Sequence, residues 1–411
     1  MAAAFRKARS GCHYYASVPA TPREYGSVSW IDLEGHIFND LRMSNGESGH
    51  SISRRRLLGQ AGVVGALSLG GTGSLFSESA LGAEAPEPFR VHQWKRDPRN
   101  PVLPPSDNDF DRKRCMNPFV VTREDLGEYW MFYSGADAKG RQRICRATCP
   151  IDDVTSWTRH GPLFDVGGKR DFDELWCVLP CVHRIGDKWH LYYTGRGSSG
   201  DGLQAFAGIG LAVSDDLIHW EKTGDVVLRG DGFPDWPDNK GIAGGGPIIE
   251  LPQKDGRILY RMYYTLATGR SGKTLQINQA KQSVVAHSYD GINWTDKRVV
   301  LRPRAEAEYE NAATIALNVW PVEDGWRAIY AGIGTHFGAY SICEASSEDG
   351  LTWHRGKPDE NLALAPGEAA WENKMVEYPH VVREGSKLRL FYCGNGYGTT
   401  GIGTALADPL D

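Results

Sequence analysis

The chain has no surplus of basic residues: 46 Lys and Arg stand against 51 Asp and Glu, for a formal net charge of −5. A nucleic-acid partner calls for a basic footprint, so none is expected. No hydrophobic run is long and apolar enough to hold a bilayer span, which needs about 20 predominantly apolar residues. Cysteine is sparse, with 8 in 411 residues. Seven of the eight are Cys115, Cys145, Cys149, Cys177, Cys181, Cys343 and Cys393. Their two C-x-x-x-C pairs lack the companion histidine spacing of a zinc site, so neither a metal nor another cofactor is expected. These thiols read as small buried apolar side chains. Abundant instead are glycine (49), tryptophan (13) and aromatics at 10% of the chain, a mix that suits an all-β, turn-rich protein.

The first 85 residues stand apart. "SRRRLLGQAGVVGALSLGGTGSLF" (53–76) is a basic cluster followed by a modest, Gly-rich apolar run. It resembles a twin-arginine export signal, with cleavage expected between Gly82 and Ala85 and Met43 an alternative start to Met1. Residues 1–85 are therefore expected to be an extension and signal, handled by the twin-arginine export machinery. Residues 86–411 are expected to be the mature, exported protein, periplasmic or extracellular, with no membrane span.

Within 86–411 one hairpin outline recurs: "DDVTSWTRHGPLF" (152–164), "SDDLIHWEKTGDVVL" (214–228), "SYDGINWTDKRVVL" (288–301) and "SEDGLTWHRG" (347–356). Asp-Gly suits the positive-φ positions of a tight turn. Upstream of each lies an aromatic strand: "YWMFYSG" (129), "WHLYYTG" (189), "RMYYTLA" (261), "WRAIYAG" (326) and, in a last unit, "LRLFYCG" (388). Five units of about four short strands predict an all-β, five-bladed β-propeller. The last unit ends without a fourth strand. "FRVHQWKRDPRNPVL" (89–103) matches that strand in plan, so the start of the mature chain is expected to complete the last blade and remove an open sheet edge. Trp94, Trp157, Trp220, Trp294 and Trp353 then read as outer-strand packing residues.

Function is expected on the face that carries the long inserts, 195–208 and 268–282, because variable loops on a rigid scaffold carry function. There the segments leading into the first strands share a carboxylate seven residues before a Pro or its equivalent: Asp111 before Pro118, Asp173 before Pro180, Glu310 before Leu317 and Glu372 before Pro379. In the third unit, alignment on Pro247 puts Lys240 at this place, with Asp238 two residues earlier. The four acids are expected to converge near the ring axis. Convergent carboxylates can divide the roles of acid and base; alternatively they cap the turns at the start of each unit.

The strand patterns "PFVVTREDLGEYWMFYSG", "GIGLAVSDDLIHW" and "SYDGINW" resemble those of glycoside hydrolase families 43 and 32 and their relatives. The resemblance spans residues 86–411 and implies carbohydrate cleavage by two carboxylates aided by a third. In those families an Asp stands directly before the Pro of a first strand; here Asn117, Leu179, Gly246 and Tyr378 hold that place. On this basis Asp111 is expected as base or nucleophile, Asp173 as a charge-tuning partner, and Glu372 or Glu310 as the acid, with Glu377 of a Glu-x-Pro triplet as their rival. Arg112 and Arg114 are expected to hold Asp111 ionised or to bind an anionic sugar. Trp176 is expected to stack on substrate, and His336 to donate to it. The alternative function is a carbohydrate-binding propeller without catalysis.

Overall fold

The computed structural model describes residues 30–31, 37–38, 89–198, 206–233, 241–267, 281–358 and 360–410. The expected export signal lies outside the described residues. The two-residue strands β1 (Trp30–Ile31) and β2 (Ile37–Phe38) pair only with each other. Among the described residues the rest is β-structure apart from one helical turn, Asn395–Gly398.

Five antiparallel units of four strands follow one another. The first is β4 (Arg114–Arg123), β5 (Glu128–Ala136), β6 (Gln142–Pro150) and β7 (Thr158–Pro162). The second is β8 (Trp176–Ile185), β9 (Lys188–Arg196), β10 (Phe206–Ser214) and β11 (Glu221–Leu228). The third is β12 (Ile242–Pro252), β13 (Ile258–Ala267), β14 (Lys281–Ser288) and β15 (Thr295–Leu301). The fourth is β16 (Ala313–Val322), β17 (Gly325–Ile333), β18 (Tyr340–Ser347) and β19 (Leu362–Leu364). The fifth is β20 (Glu377–Glu384), β21 (Lys387–Cys393), β22 (Ile402–Ala407) and β3 (Lys95–Arg96), so its last strand comes from the segment that precedes the first unit. First strands touch in a closed cycle, β4 to β8, β12, β16, β20 and back to β4.

The recurrent hairpin is built by local hydrogen bonds. Ser214, Ser288 and Ser347 each accept from the N–H three residues on, at 2.9 Å. Asp216, Asp290 and Asp349 each accept from the N–H groups two and three residues on, at 2.7–2.8 Å. These side chains replace backbone partners that the turn cannot supply. The residue after each Asp has positive φ: Leu217 (66°), Gly291 (73°) and Gly350 (69°).

The tryptophan that closes each hairpin packs between units. Trp157, Trp220, Trp294 and Trp353 meet Phe391, Phe132, Tyr192 and Tyr263 edge-on, with centroids 5.8–6.2 Å apart. In every case the partner lies on the second strand of the preceding unit. Trp94 belongs to the same buried apolar cluster as Ile329 of the fourth unit. Edge-to-face aromatic contacts add directional preference to the area they bury, so the hairpin motif sets the angle between neighbours.

Candidate active site

Each first strand carries a bulge with a residue at positive φ: Asn117 (54°), Leu179 (58°), Gly244 (81°), Ala316 (53°) and Tyr378 (51°). A non-Gly residue there is strained, and the bulge N–H has a fixed partner in four units. It donates to the residue after the second-strand tyrosine of the preceding unit: Leu179 to Ser134 (3.0 Å), Gly244 to Thr194 (2.7 Å), Ala316 to Thr265 (3.2 Å) and Asn117 to Cys393 Sγ (3.2 Å).

This register corrects the sequence alignment of the third unit. Ala243 pairs with Thr265 as Met116 pairs with Ser134, Val178 with Thr194, Ile315 with Ala331 and Glu377 with Cys393. Gly244, not Gly246, is therefore the counterpart of Asn117, and extra residues before Ile248 displace Pro247. Asp111, Asp173, Glu310 and Glu372 all stand six residues before their bulge residue; six before Gly244 is Asp238, not Lys240. Asp238 lies outside the described residues. The sequence thus carries an acid at this place in all five units, as a repeated structural element would.

The four described acids are buried and bound alike. Each accepts from the second-strand tyrosine of its own unit: Asp111 from Tyr133 (2.8 Å), Asp173 from Tyr193 (2.9 Å), Glu372 from Tyr392 (2.8 Å), and Glu310 from Tyr330. Each also meets a cation two residues past the fourth-strand tryptophan: Arg159 (2.9 Å), Lys222 (2.7 Å), Arg96 (2.9 Å) and Arg355 (3.0 Å) respectively. Ser106 adds a donor to Asp111, and Arg304 a second cation to Glu310 at 2.6 Å. Burial first, then the adjacent carboxylate, pushes the Tyr330 and Tyr392 phenols up, so they stay donors. Among the described residues no two of these acids share a hydrogen bond or ion pair. Each is held by the second and fourth strands of its own unit. The chain crosses each unit before its first strand begins, and the acid is engaged on the way.

The other expected residues fall in different places. Arg112 does not reach Asp111; it is half exposed and turns to Asp107, and Arg159 supplies the cation instead. His336 is exposed, 3.7 Å from Glu308, and its ring packs edge-on to Tyr309 and Phe337. Trp176 is buried at the start of β8, where its indole N–H donates to Gly140 O at 3.1 Å and the Arg196 guanidinium lies 4.3 Å from its ring centroid.

Glu377 behaves differently from the repeated acids. It takes the register position held in the other units by Met116, Val178, Ala243 and Ile315. It is fully buried, and among the described residues neither carboxylate oxygen has a hydrogen-bond partner. Burial pushes its pKa well up, against the opposing pull of Lys281 and Arg114. Lys281, at the start of β14, is buried, donates to Tyr340 Oη at 3.0 Å, and is pushed down to about 8 by burial. Arg114, at the start of β4, is buried with its Nε unpartnered. Tyr340 stands between Tyr378 and Tyr397, with centroids 6.4 and 6.1 Å away. Beside them is a cavity of about 40 Å³ lined by Leu179, Gly244, Ile315, Ala316, Lys281 and Tyr378, room for a water or two. A carboxyl group kept protonated in dry surroundings can donate its proton. Lys281 escaped the sequence reading because nothing around it repeats.

No protein-family model matches the chain. An uncharacterised protein of Mycobacterium tuberculosis is 28% identical over 299 residues, covering 68% of this chain and 87% of its own length. An extracellular exo-inulinase of Aspergillus awamori is 33% identical over 118 residues, 25% of this chain and 22% of that protein. Among solved structures, one from glycoside hydrolase family 130, a family of mannoside phosphorylases that contains glycoside hydrolases targeting β-1,2 mannosidic linkages in Candida mannan, superposes with a TM-score of 0.58 at 17% identity. It covers 78% of this chain and 98% of that one. A thermostable family-43 glycoside hydrolase gives 0.51 at 16% identity, over 71% and 88%. The all-β fold is thus shared with glycoside hydrolases.

Proposed function

We propose that the five units are the blades of a five-bladed β-propeller that cleaves glycosidic bonds in poly- or oligosaccharides, with Glu377 as proton donor. One observation carries this reading: Glu377 is a buried acid whose two oxygens have no hydrogen-bond partner among the described residues, at the start of the fifth unit's first strand. Buried polar groups without partners are rare and cluster at functional sites. A protonated Glu377 would protonate the leaving oxygen. Asp111, Asp173, Glu310 and Glu372 are in this reading clasps that fasten each lead-in segment to its own blade. The fold shared with glycoside hydrolases and the partial similarity to an exo-inulinase support the assignment.

The test is turnover of a panel of polysaccharides and aryl glycosides. Glu377→Gln should lower turnover of natural linkages by about 10²–10⁴-fold, the usual worth of general acid catalysis, and affect activated aryl leaving groups far less. A second reading, carbohydrate binding without catalysis, is favoured by the single acid found at this axial position, where glycosidases use two carboxylates. Sugar binding with no cleavage of any substrate by the wild-type protein would select it.

The same proposal includes export of residues 86–411 after removal of the twin-arginine signal. Replacing Arg54 and Arg55 together by Lys should leave precursor in the cytoplasm; normal export of that variant would refute this part.

A further inference from the structure

Three rings of the fourth unit sit together where its lead-in segment meets the loop between β17 and β18. Tyr309 and Phe337 are stacked, with centroids 5.5 Å and planes 23° apart; His336 stands edge-on to both, at 4.9 and 4.5 Å. We propose that they form an outer carbohydrate subsite for a neutral sugar residue of an oligosaccharide whose scissile bond lies at Glu377. This deepens the glycosidase reading above and rests on it.

The loop does not need these rings to keep its shape. Asn311 Nδ2 donates to Thr335 Oγ1 at 2.9 Å, and the Thr335 N–H donates back to Asn311 Oδ1 at 3.1 Å. The His336 N–H donates to Glu308 O and the Gly338 N–H to Gly334 O, both at 3.0 Å. A side chain on Gly334 would run into Glu308 O, so the two segments lie in direct contact. The rings therefore ride on a surface already built. Tyr309 and Phe337 are half-buried and His336 is 47% exposed. Clustered apolar surface left in water on a rigid loop marks a binding place.

Size and chemistry choose the occupant. A stable protein partner needs about 1,200–2,000 Å² of buried surface in all, far more than three part-buried rings offer. One sugar ring is of the right scale. Its C–H face lies flat on an aromatic plane while its hydroxyls reach the edge and require polar partners there. The Glu308 carboxylate, 68% exposed and 3.7 Å from His336 Nδ1, stands at that edge with the exposed Thr335. Glu306 is exposed as well, whereas Arg304 of the same segment is engaged by Glu310. The edge is acidic, which favours a neutral sugar over an anionic one.

The strand that follows ties this place to Glu377. Phe337 precedes Tyr340, the first residue of β18, by about 10 Å of chain at most. Tyr340 lies 6.4 Å from Tyr378, the residue after Glu377. One oligosaccharide can reach both.

Calorimetry on the full chain should use neutral gluco-, manno-, xylo-, arabino- and fructo-oligosaccharides of increasing length, with the matching monosaccharides. In the series that binds, long members are expected to bind about tenfold more tightly than the monosaccharide, and Phe337→Ala should remove most of that advantage. If Phe337→Ala does not fold, His336→Ala and Glu308→Ala, both on exposed side chains, serve the same purpose. Absence of binding in every series, equal affinity at all lengths, or a length advantage that these variants leave intact would overturn the subsite. Self-association that Phe337→Ala abolishes, with the length advantage intact, would give the patch to a second copy of the chain instead. A length advantage that depends on Phe337 in a protein that cleaves no substrate would keep the subsite and refute the glycosidase reading. Cleavage with no length advantage would do the reverse.

Discussion

The Cys393 thiol accepts a hydrogen bond from the backbone N–H of Asn117 at 3.2 Å, across the seam where the fifth unit meets the first. Ser134, Thr194 and Thr265 make the same contact with Leu179, Gly244 and Ala316 at three other junctions. At the remaining junction the acceptor position is Ala331, which has no such group. The ring is therefore joined near its centre by side chains that satisfy a strained N–H, and farther out by the tryptophan wedges.

The junction contact should be measurable. Thr194→Val preserves shape and leaves the Gly244 N–H without its acceptor. An unsatisfied buried donor costs about 1–3 kcal/mol. The denaturation midpoint of the variant should fall accordingly, with the dependence on denaturant unchanged.

The clasps should matter to stability and not to turnover. Glu310→Gln leaves Arg304 and Arg355 facing a neutral amide; breaking a buried ion pair in this way costs about 3–5 kcal/mol. Folded protein at low temperature should retain wild-type kcat. The opposite pattern, an unchanged Tm with a hundredfold loss of kcat, would return Glu310 to the catalytic machinery.

Lys281 is pushed down to about 8 by burial, so its contribution to stability depends on pH. Its other close neighbours are Glu377, pushed well up chiefly by burial, and the Tyr340 phenol, also pushed well up chiefly by burial. Protonated Glu377 is the donor form, so any loss of its proton also lowers turnover on the alkaline side. Native Lys281 gives up its proton before the unfolded chain does, so its contribution to stability improves between about pH 8 and the ordinary lysine value of 10.5. Lys281→Arg should remove that rise in stability, measured as the denaturation midpoint at several pH values.

The N-terminal strap should be sensitive to acid. Glu344 on β18 accepts from His92 Nδ1 (2.8 Å), Trp94 Nε1 (2.9 Å) and Arg327 (2.9 Å). Burial alone would raise its pKa; His92, Arg327 and Trp94 together bring it below the ordinary value. Its stabilising contribution is therefore present above the unfolded carboxylate pKa and lost as pH falls through the lowered one. Trp94→Ala should cost about 3–5 kcal/mol and move the acid-unfolding midpoint to higher pH. An unchanged melting temperature would make residues 89–103 a loose tail.

Much of the architecture was legible before any coordinates, because strand pairing is a local habit. Alternating aromatic strands, Asp-containing turns and a tryptophan at fixed distance mark each unit, and "FRVHQWKRDPRNPVL" supplied the missing fourth strand. The site was far less legible. The repeated acids stood out because they repeat, and repetition reports architecture. Glu377 was visible only as a rival, and Lys281 not at all.

What the sequence by itself determined was the unit: which residues pair, where the chain turns, and which faces are apolar, since these follow from neighbours a few positions apart. Only the tertiary structure decided the register of the third unit, where extra residues beside Gly244 move the bulge away from Pro247. It also decided which acids are engaged and which is left bare. Asp111 finds Arg159, 48 residues on, and Glu372 finds Arg96, which enters from the far end of the chain; Glu377 finds no hydrogen-bond donor among the described residues. A carboxylate's chemistry depends on its desolvation and its partners, and those are fixed by the closing of the ring.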